Sequence, residues 1–180
     1  MLFRSDGDKV SLSNLHRQVL YREADVHKPK VQVAVQHLLD LNHHIRIIPY
    51  ETYLNRDNIL EIFTGYDLVI DGTDKIPVRY LINDACYRLR IPFIYGSIYR
   101  YDGQVAVFNA LQEDGSRSTN FRDVFPTPPP PNAIPDCIDG GVIGPLPAIV
   151  GNIQAFQAMQ YLLTGKCSLI NTLLKIGRAS

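Results

Sequence analysis

The chain has 180 residues, 46% of them hydrophobic and 20% charged, which suits one soluble globular domain with a proper core and excludes disorder over the whole length. Eighteen basic residues balance eighteen acidic ones, so no net field draws the chain to nucleic acid or an anionic membrane, and any phosphate chemistry must rest on a few placed side chains. Cys86, Cys137 and Cys167 have no CxxC spacing, so neither a disulfide framework nor a complete zinc site is readable, and the cytoplasm is the expected compartment. No charged-then-apolar leader opens the sequence. Its longest apolar stretch, Val142 to Phe156, is interrupted by Pro145, Pro147 and Gly151, so neither a signal peptide nor a membrane span is expected.

Between Lys28 and Leu41, Pro29 suits a first helical turn, and Val31, Val35, Leu38 and Leu39 recur at helical spacing. Ile45 to Pro49 reads as a short strand and Asn55 to Thr64 as a second helix. The compact apolar run Asp67-Leu68-Val69-Ile70, ending at Asp71-Gly72-Thr73-Asp74, suits a buried parallel strand leaving its sheet. A third helix follows, with Pro77 near its start and Val78, Leu81, Ile82, Ala85 and Leu89 on one face, before a strand at Ile91 to Tyr95. Strands alternating with helices argue for a mostly parallel α/β sheet with helices on both faces. After Gly96 the pattern becomes antiparallel: Ile98 to Tyr101 and Gln104 to Phe108 flank Asp102-Gly103, which predicts a hairpin with a type I′ turn. Residues 111–139, with prolines at 126, 128–131 and 135, read as a long extended loop, and Ala148 to Leu163 as a helix closed by Gly165.

Asp74 lies at the carboxyl end of a predicted parallel strand, where open α/β sheets place their ligands; it suits either Mg²⁺-phosphate binding or capping of the next helix. Arg17 and Lys30 flank the segment entering the first helix, and such a pair can neutralise a triphosphate; solvated surface charge is the other reading. Cys137, beyond the prolines, is either an exposed nucleophile or a small core residue. His43-His44 do not share a helix face and read as a solvated turn, and Cys86 reads as packing. Neither GxxxxGK[ST] nor GxGxxG occurs, yet the chain opens at Ser5-Asp6-Gly7-Asp8-Lys9-Val10, where an acid after a strand can bind a ribose hydroxyl. An upstream βα unit with a glycine-rich loop is therefore expected to be missing.

The string Asp6-Gly7-Asp8-Lys9-Val10-Ser11-Leu12-Ser13-Asn14-Leu15-His16-Arg17-Gln18 resembles the D-x-D-x-V-x-x-S-N-L-x-R-Q signature of the ThiF/MoeB/HesA adenylyltransferases, relatives of the ubiquitin-activating enzymes. The resemblance continues through Asp25 to Lys30, Asp67 to Asp74, Tyr95-Gly96-Ser97, Gly103-Gln104-Val105, Cys137 to Pro145 and Gly151 to Ala155. It implies a Rossmann-like α/β fold and one partial adenylation domain over residues 1–180, with a crossover loop at 111–139. By position it implies Asp6 for the ATP ribose, Asn14, Arg17 and Lys30 for the phosphates, Gln18 in support, and Asp74 for Mg²⁺. Cys137 matches a family cysteine that in some members forms a covalent intermediate. The implied partner is a ubiquitin-like sulfur-carrier protein ending in Gly-Gly, activated for thiamin, molybdenum-cofactor or tRNA-thiolation sulfur transfer, and the implied assembly is a homodimer. A non-catalytic partner or an inactive truncated fragment of such an enzyme is the alternative reading, since residues 1–180 without the glycine-rich loop are expected to bind ATP weakly or not at all. Zinc-binding members carry a CxxC near Asn120 and Asp123, where this chain has no cysteine, so no zinc is expected. Lys75 stands where the family has Asn.

Overall fold

Residues Leu2–Ser5 (β1) and Ile47–Tyr50 (β2) pair in parallel, Leu2 opposite Ile47 and Ser5 opposite Tyr50. The helix between them, α1 (Lys30–Leu41), supplies the crossover that a parallel pair requires. The structure is a computed structural model and describes residues 1–130 and 141–177. The chain divides into two compact units, Met1–Leu54 and Asn55–Ser180.

In the first unit, two 3₁₀ turns, Leu12–Asn14 and Glu23–Asp25, lead from β1 to α1. Helix α1 starts at Lys30 rather than Lys28, because Lys28 and His27 pair with the outgoing chain: Val10 N–H donates to Lys28 O at 2.9 Å and His27 N–H to Val10 O at 2.9 Å. Val10, Tyr21, Val33 and Ala34 form the buried cluster beneath this segment, with Leu15, Leu20 and Val26 packed against it.

The second unit runs α2 (Ile59–Phe63), β3 (Val69–Ile70), α3 (Ile76–Leu89), β4 (Phe93–Tyr99), β5 (Asp102–Phe108), α4 (Phe121–Val124), α5 (Pro145–Thr164) and β6 (Leu173–Ile176). Helix α2 begins late because the Asn55 carboxamide first accepts from Asp57 N and Asn58 N, at 2.8 and 3.1 Å, closing a turn. The sheet order is β3-β4-β5-β6, with β3 parallel to β4 and the other two pairs antiparallel. Strand alternation divides the core. On one face Ile94, Val105 and Val107 meet Leu146, Val150 and Ala158 of α5. On the other, Phe93, Tyr95 and Phe108 meet Phe121, whose ring lies 5.0 Å from that of Tyr80 of α3. Helices thus cover both faces of this sheet, as the alternating pattern predicts.

The hairpin differs from its sequence reading. Tyr99 pairs with Asp102, so the two-residue loop is Arg100-Tyr101 and Asp102-Gly103 already belongs to β5. Arg100 has a φ of 52°, and a type I′ turn would need positive φ at Tyr101 as well. Gly103 is required by packing instead: a Cβ there would stand 2.8 Å from Val150 Cγ2. Strand β6, which the sequence reading lacks, pairs with β5 along Gly103 to Ala106. Gly165 ends α5 in the left-handed conformation, with φ of 71°, as expected. Among the described residues no helix is long and apolar enough to cross a membrane.

Candidate functional site

The turn after β1 is built on its own acids. Asp6 N–H donates to Tyr50 O at 3.1 Å, which holds the end of β1 to β2, and Asp6 Oδ1 accepts from Asp8 N at 3.0 Å. Asp6 Oδ2 has only a loose ion pair with Arg4, at 3.7 Å, leaving it in reach of further donors. Lys30 is 7% exposed, and its ammonium donates to Asp8 Oδ2 at 3.0 Å while its N–H donates to Asp8 O at 2.9 Å. A nearly buried ammonium needs such a partner. The other oxygen, Asp8 Oδ1, accepts from the Tyr53 hydroxyl at 2.6 Å. That bond to the carboxylate, with its charge, raises the Tyr53 phenol above its usual pKa, so it remains a donor. Tyr21 links the same elements: its hydroxyl donates to Lys30 O at 3.2 Å and accepts from Arg4 at 3.0 Å, and burial raises its pKa.

Asn14, Arg17 and Gln18 share one turn, with Arg17 N–H and Gln18 N–H donating to Asn14 O at 3.1 and 2.9 Å. The Arg17 guanidinium donates to Ser13 O at 3.1 Å and has no acidic partner among the described residues. Gln18 Oε1 is buried without a hydrogen-bond partner there. A guanidinium without an internal counter-charge suits an anion supplied from outside.

In the second unit the run after β3 separates two acids. Asp71 is 1% exposed, and its oxygens accept from Thr73 N and Thr73 Oγ1, both at 2.7 Å, and from Arg79 Nε at 2.9 Å. Arg79 also donates to Thr73 O at 2.6 Å and Gly96 O at 3.2 Å, and lies 4.9 Å over the Tyr95 ring. From α5, Gln154 Nε2 donates to Asp71 O and Ile94 O at 2.7 and 3.2 Å. It lies so close over β4 that a Cβ on Gly96 would stand 2.4 Å from it. Asp74, by contrast, is exposed and makes no hydrogen bond or ion pair among the described residues. It does not cap α3, whose N-cap is Lys75 without a side-chain cap bond, so the capping alternative is absent from the structure.

The structure therefore links Asp6 to Lys30 through Asp8, and gathers Asn14, Arg17 and Gln18 on one turn, all within Met1–Leu54. Asp74 belongs to the other unit, and Cys137 lies outside the described residues. Sequence reasoning assigned no role to Asp8, Tyr53, Asp71 or Arg79. The second acid of D-x-D and the first of D-x-x-D were the available signals, and Tyr53 had none. Cys86 is buried and its thiol is pushed upward by burial, as packing predicts, and His43 and His44 are exposed. At Asn120 and Asp123, Asn120 Oδ1 accepts from Arg122 N and Asp123 Oδ2 from Asn120 N, both at 2.8 Å, a reciprocal cap on α4. Among the described residues no three His, Cys, Asp or Glu side chains gather as a metal site.

The chain is 48% identical over 156 residues to a Thermus thermophilus protein named sulfur carrier protein adenylyltransferase, covering 87% of this chain and 58% of that protein. It is 42% identical over 160 residues to the probable adenylyltransferase/sulfurtransferase MoeZ of Mycobacterium tuberculosis, covering 89% of this chain and 40% of MoeZ. The chain thus spans about half the length of these relatives. Among solved structures, E. coli MccB with MccA-N7isoASN matches with a TM-score of 0.82 at 18% identity, covering 98% of this chain and 54% of that one. PaaA matches with a TM-score of 0.73 at 23% identity, covering 97% and 52%. At these identities the likeness establishes the α/β fold. The ThiF family profile matches residues 4–179, and with it the chain belongs to the ThiF family.

Proposed function

We propose that residues 1–180 are part of an adenylation domain that uses ATP to adenylylate the C-terminal glycine of a ubiquitin-like sulfur-carrier protein. The names of the relatives support the reaction and the carrier. The observation that carries the reading is the Asp6–Asp8–Lys30 linkage, which joins an acid suited to ribose hydroxyls, on the turn after β1, to a cation suited to phosphate at the start of α1. The carrier carboxylate attacks the α-phosphorus, an acyl C(=O)–O–P bond forms, and the bond to the β-phosphate breaks to release pyrophosphate. Arg17 and Lys30 neutralise the charge that grows on the phosphates, Asn14 donates its amide, and Gln18 supports that turn. Asp74, an exposed carboxylate without a protein partner among the described residues, suits Mg²⁺, which when bound would reduce the charge of the leaving pyrophosphate. In a later covalent step the Cys137 thiol attacks the acyl carbon of the adenylate, a thioester forms, and the acyl C–O bond to phosphorus breaks to release AMP. The pathway served is thiamin, molybdenum-cofactor or tRNA-thiolation sulfur transfer, and the assembly is the homodimer that the family resemblance implies.

The test is ATP–pyrophosphate exchange by the full-length protein with a Gly-Gly carrier. Exchange should require the carrier and fall about 10²-fold or more in Arg17→Ala and in Asp74→Asn, the scale for one preorganised charge-stabilising contact. Exchange that persists with a carrier lacking its terminal glycine would reject the proposed substrate.

A further inference from the structure

Tyr53 follows β2 and is 57% exposed, so little of its ring is held by a core. What holds it is the turn after β1. A Cβ on Gly7 would lie 2.7 Å from Tyr53 Cδ2 and Cε2, which shows the ring resting directly on the Gly7 backbone. Ser5 Oγ donates to Thr52 O at 2.9 Å, fixing the chain that delivers the ring. From there the hydroxyl reaches Asp8 Oδ1 at 2.6 Å, and the opposite oxygen of the same carboxylate accepts from Lys30 at 3.0 Å. One carboxylate is thus shared between a phenol and an ammonium.

We propose that Tyr53 is a positioning residue for Lys30, acting through Asp8. The hydroxyl pins Oδ1, so the carboxylate cannot rotate to offer both oxygens to the ammonium, and it takes up part of the carboxylate charge. Lys30 is held in place by a single bond to Oδ2, weakly enough to be shared with an arriving phosphate. Without the hydroxyl, Asp8 turns both oxygens on Lys30 and competes with the phosphate. The inference rests on the assignment of Lys30 to the phosphates of ATP.

The experiment is calorimetric binding of ATP and of adenosine to the full-length protein carrying Tyr53→Phe, Lys30→Gln or both. The phenyl ring keeps its seat on Gly7, and equal melting temperatures verify the fold. Tyr53→Phe should weaken ATP by about tenfold, the scale of one bond to a charged group, and leave adenosine unchanged, because adenosine has no phosphate for Lys30 to meet. In the Lys30→Gln background the same substitution should have no further effect, since the residue through which it acts is gone. Equal weakening of ATP and adenosine would make Tyr53 a wall of the pocket and overturn the proposal, as would an unchanged ATP affinity or effects that add in the double variant. If Lys30→Gln alone leaves ATP binding intact, the phosphate assignment itself fails, and this proposal with it.

Discussion

Asp71 and Asp74 stand three residues apart in one motif and have opposite fates. Asp71 is fully enclosed, with both oxygens satisfied by Thr73 and Arg79, whereas Asp74 is exposed without a protein partner among the described residues. A carboxylate that is to meet an external cation must be left free of internal ones, and the internal pair fixes the turn from which it projects. Replacing Arg79 with Met would strand the Asp71 charge in the interior and should cost about 3–5 kcal/mol, measured as a lower urea midpoint. A loss under about 1 kcal/mol would mean that water reaches Asp71 and the pair is not structural. Of these residues the sequence revealed Asp74 as a candidate, because its place after an apolar strand is a local pattern. It could not reveal that Asp71 is the buried one, since that follows from Arg79 on α3 and Gln154 on α5 closing over it. Asp8 was hidden for the same reason: its role comes from Lys30 and Tyr53, which are 22 and 45 residues away.

Elements with a long apolar period were legible. Helices α1, α3 and α5 appear within a few residues of their expected bounds, α1 and α3 because Val31 and Ile82 belong to periodic faces that become core, and α5 because Gly165 closes it. Short elements were not. Leu173–Ile176 is four residues whose strand character comes from the open edge of β5, not from its own alternation. The hairpin was placed two residues late, since Asp-Gly is a strong turn signal on composition and Gly103 answers to a different demand. At its α-carbon α5 packs close against β5: a methyl group at this position would stand 2.8 Å from Val150 Cγ2 and 3.3 Å from Leu146 Cδ1. Gly103→Ala should therefore destabilise by about 1–3 kcal/mol through overpacking. Adding Val150→Ala should recover part of that loss despite removing core volume. Independent, additive losses in thermal melts would assign Gly103 to the turn after all.

Of the proposed residues, Asp6, Asn14, Arg17, Gln18 and Lys30 belong to Met1–Leu54 and Asp74 to Asn55–Ser180, while Cys137 lies outside the described residues. Activation and transfer should be separable by residue, because adenylation uses the phosphate-binding side chains and transfer uses the thiol. In the full-length protein Cys137→Ala should retain carrier-dependent pyrophosphate exchange yet lose any thiol-sensitive covalent adduct with the carrier, read by mass spectrometry without reductant. The same adduct in the variant would exclude Cys137 as the acceptor. The order of strands also bears on how the protein is made. Synthesis delivers β5 at residue 108, but the strand that covers its edge arrives only at residue 173, and the amide that reaches the Asp71 and Ile94 carbonyls only at residue 154. A chain on the ribosome therefore carries a bare strand edge through some 65 residues of translation, at roughly 5–20 residues per second, a window of several seconds in which neighbouring nascent chains can pair with it.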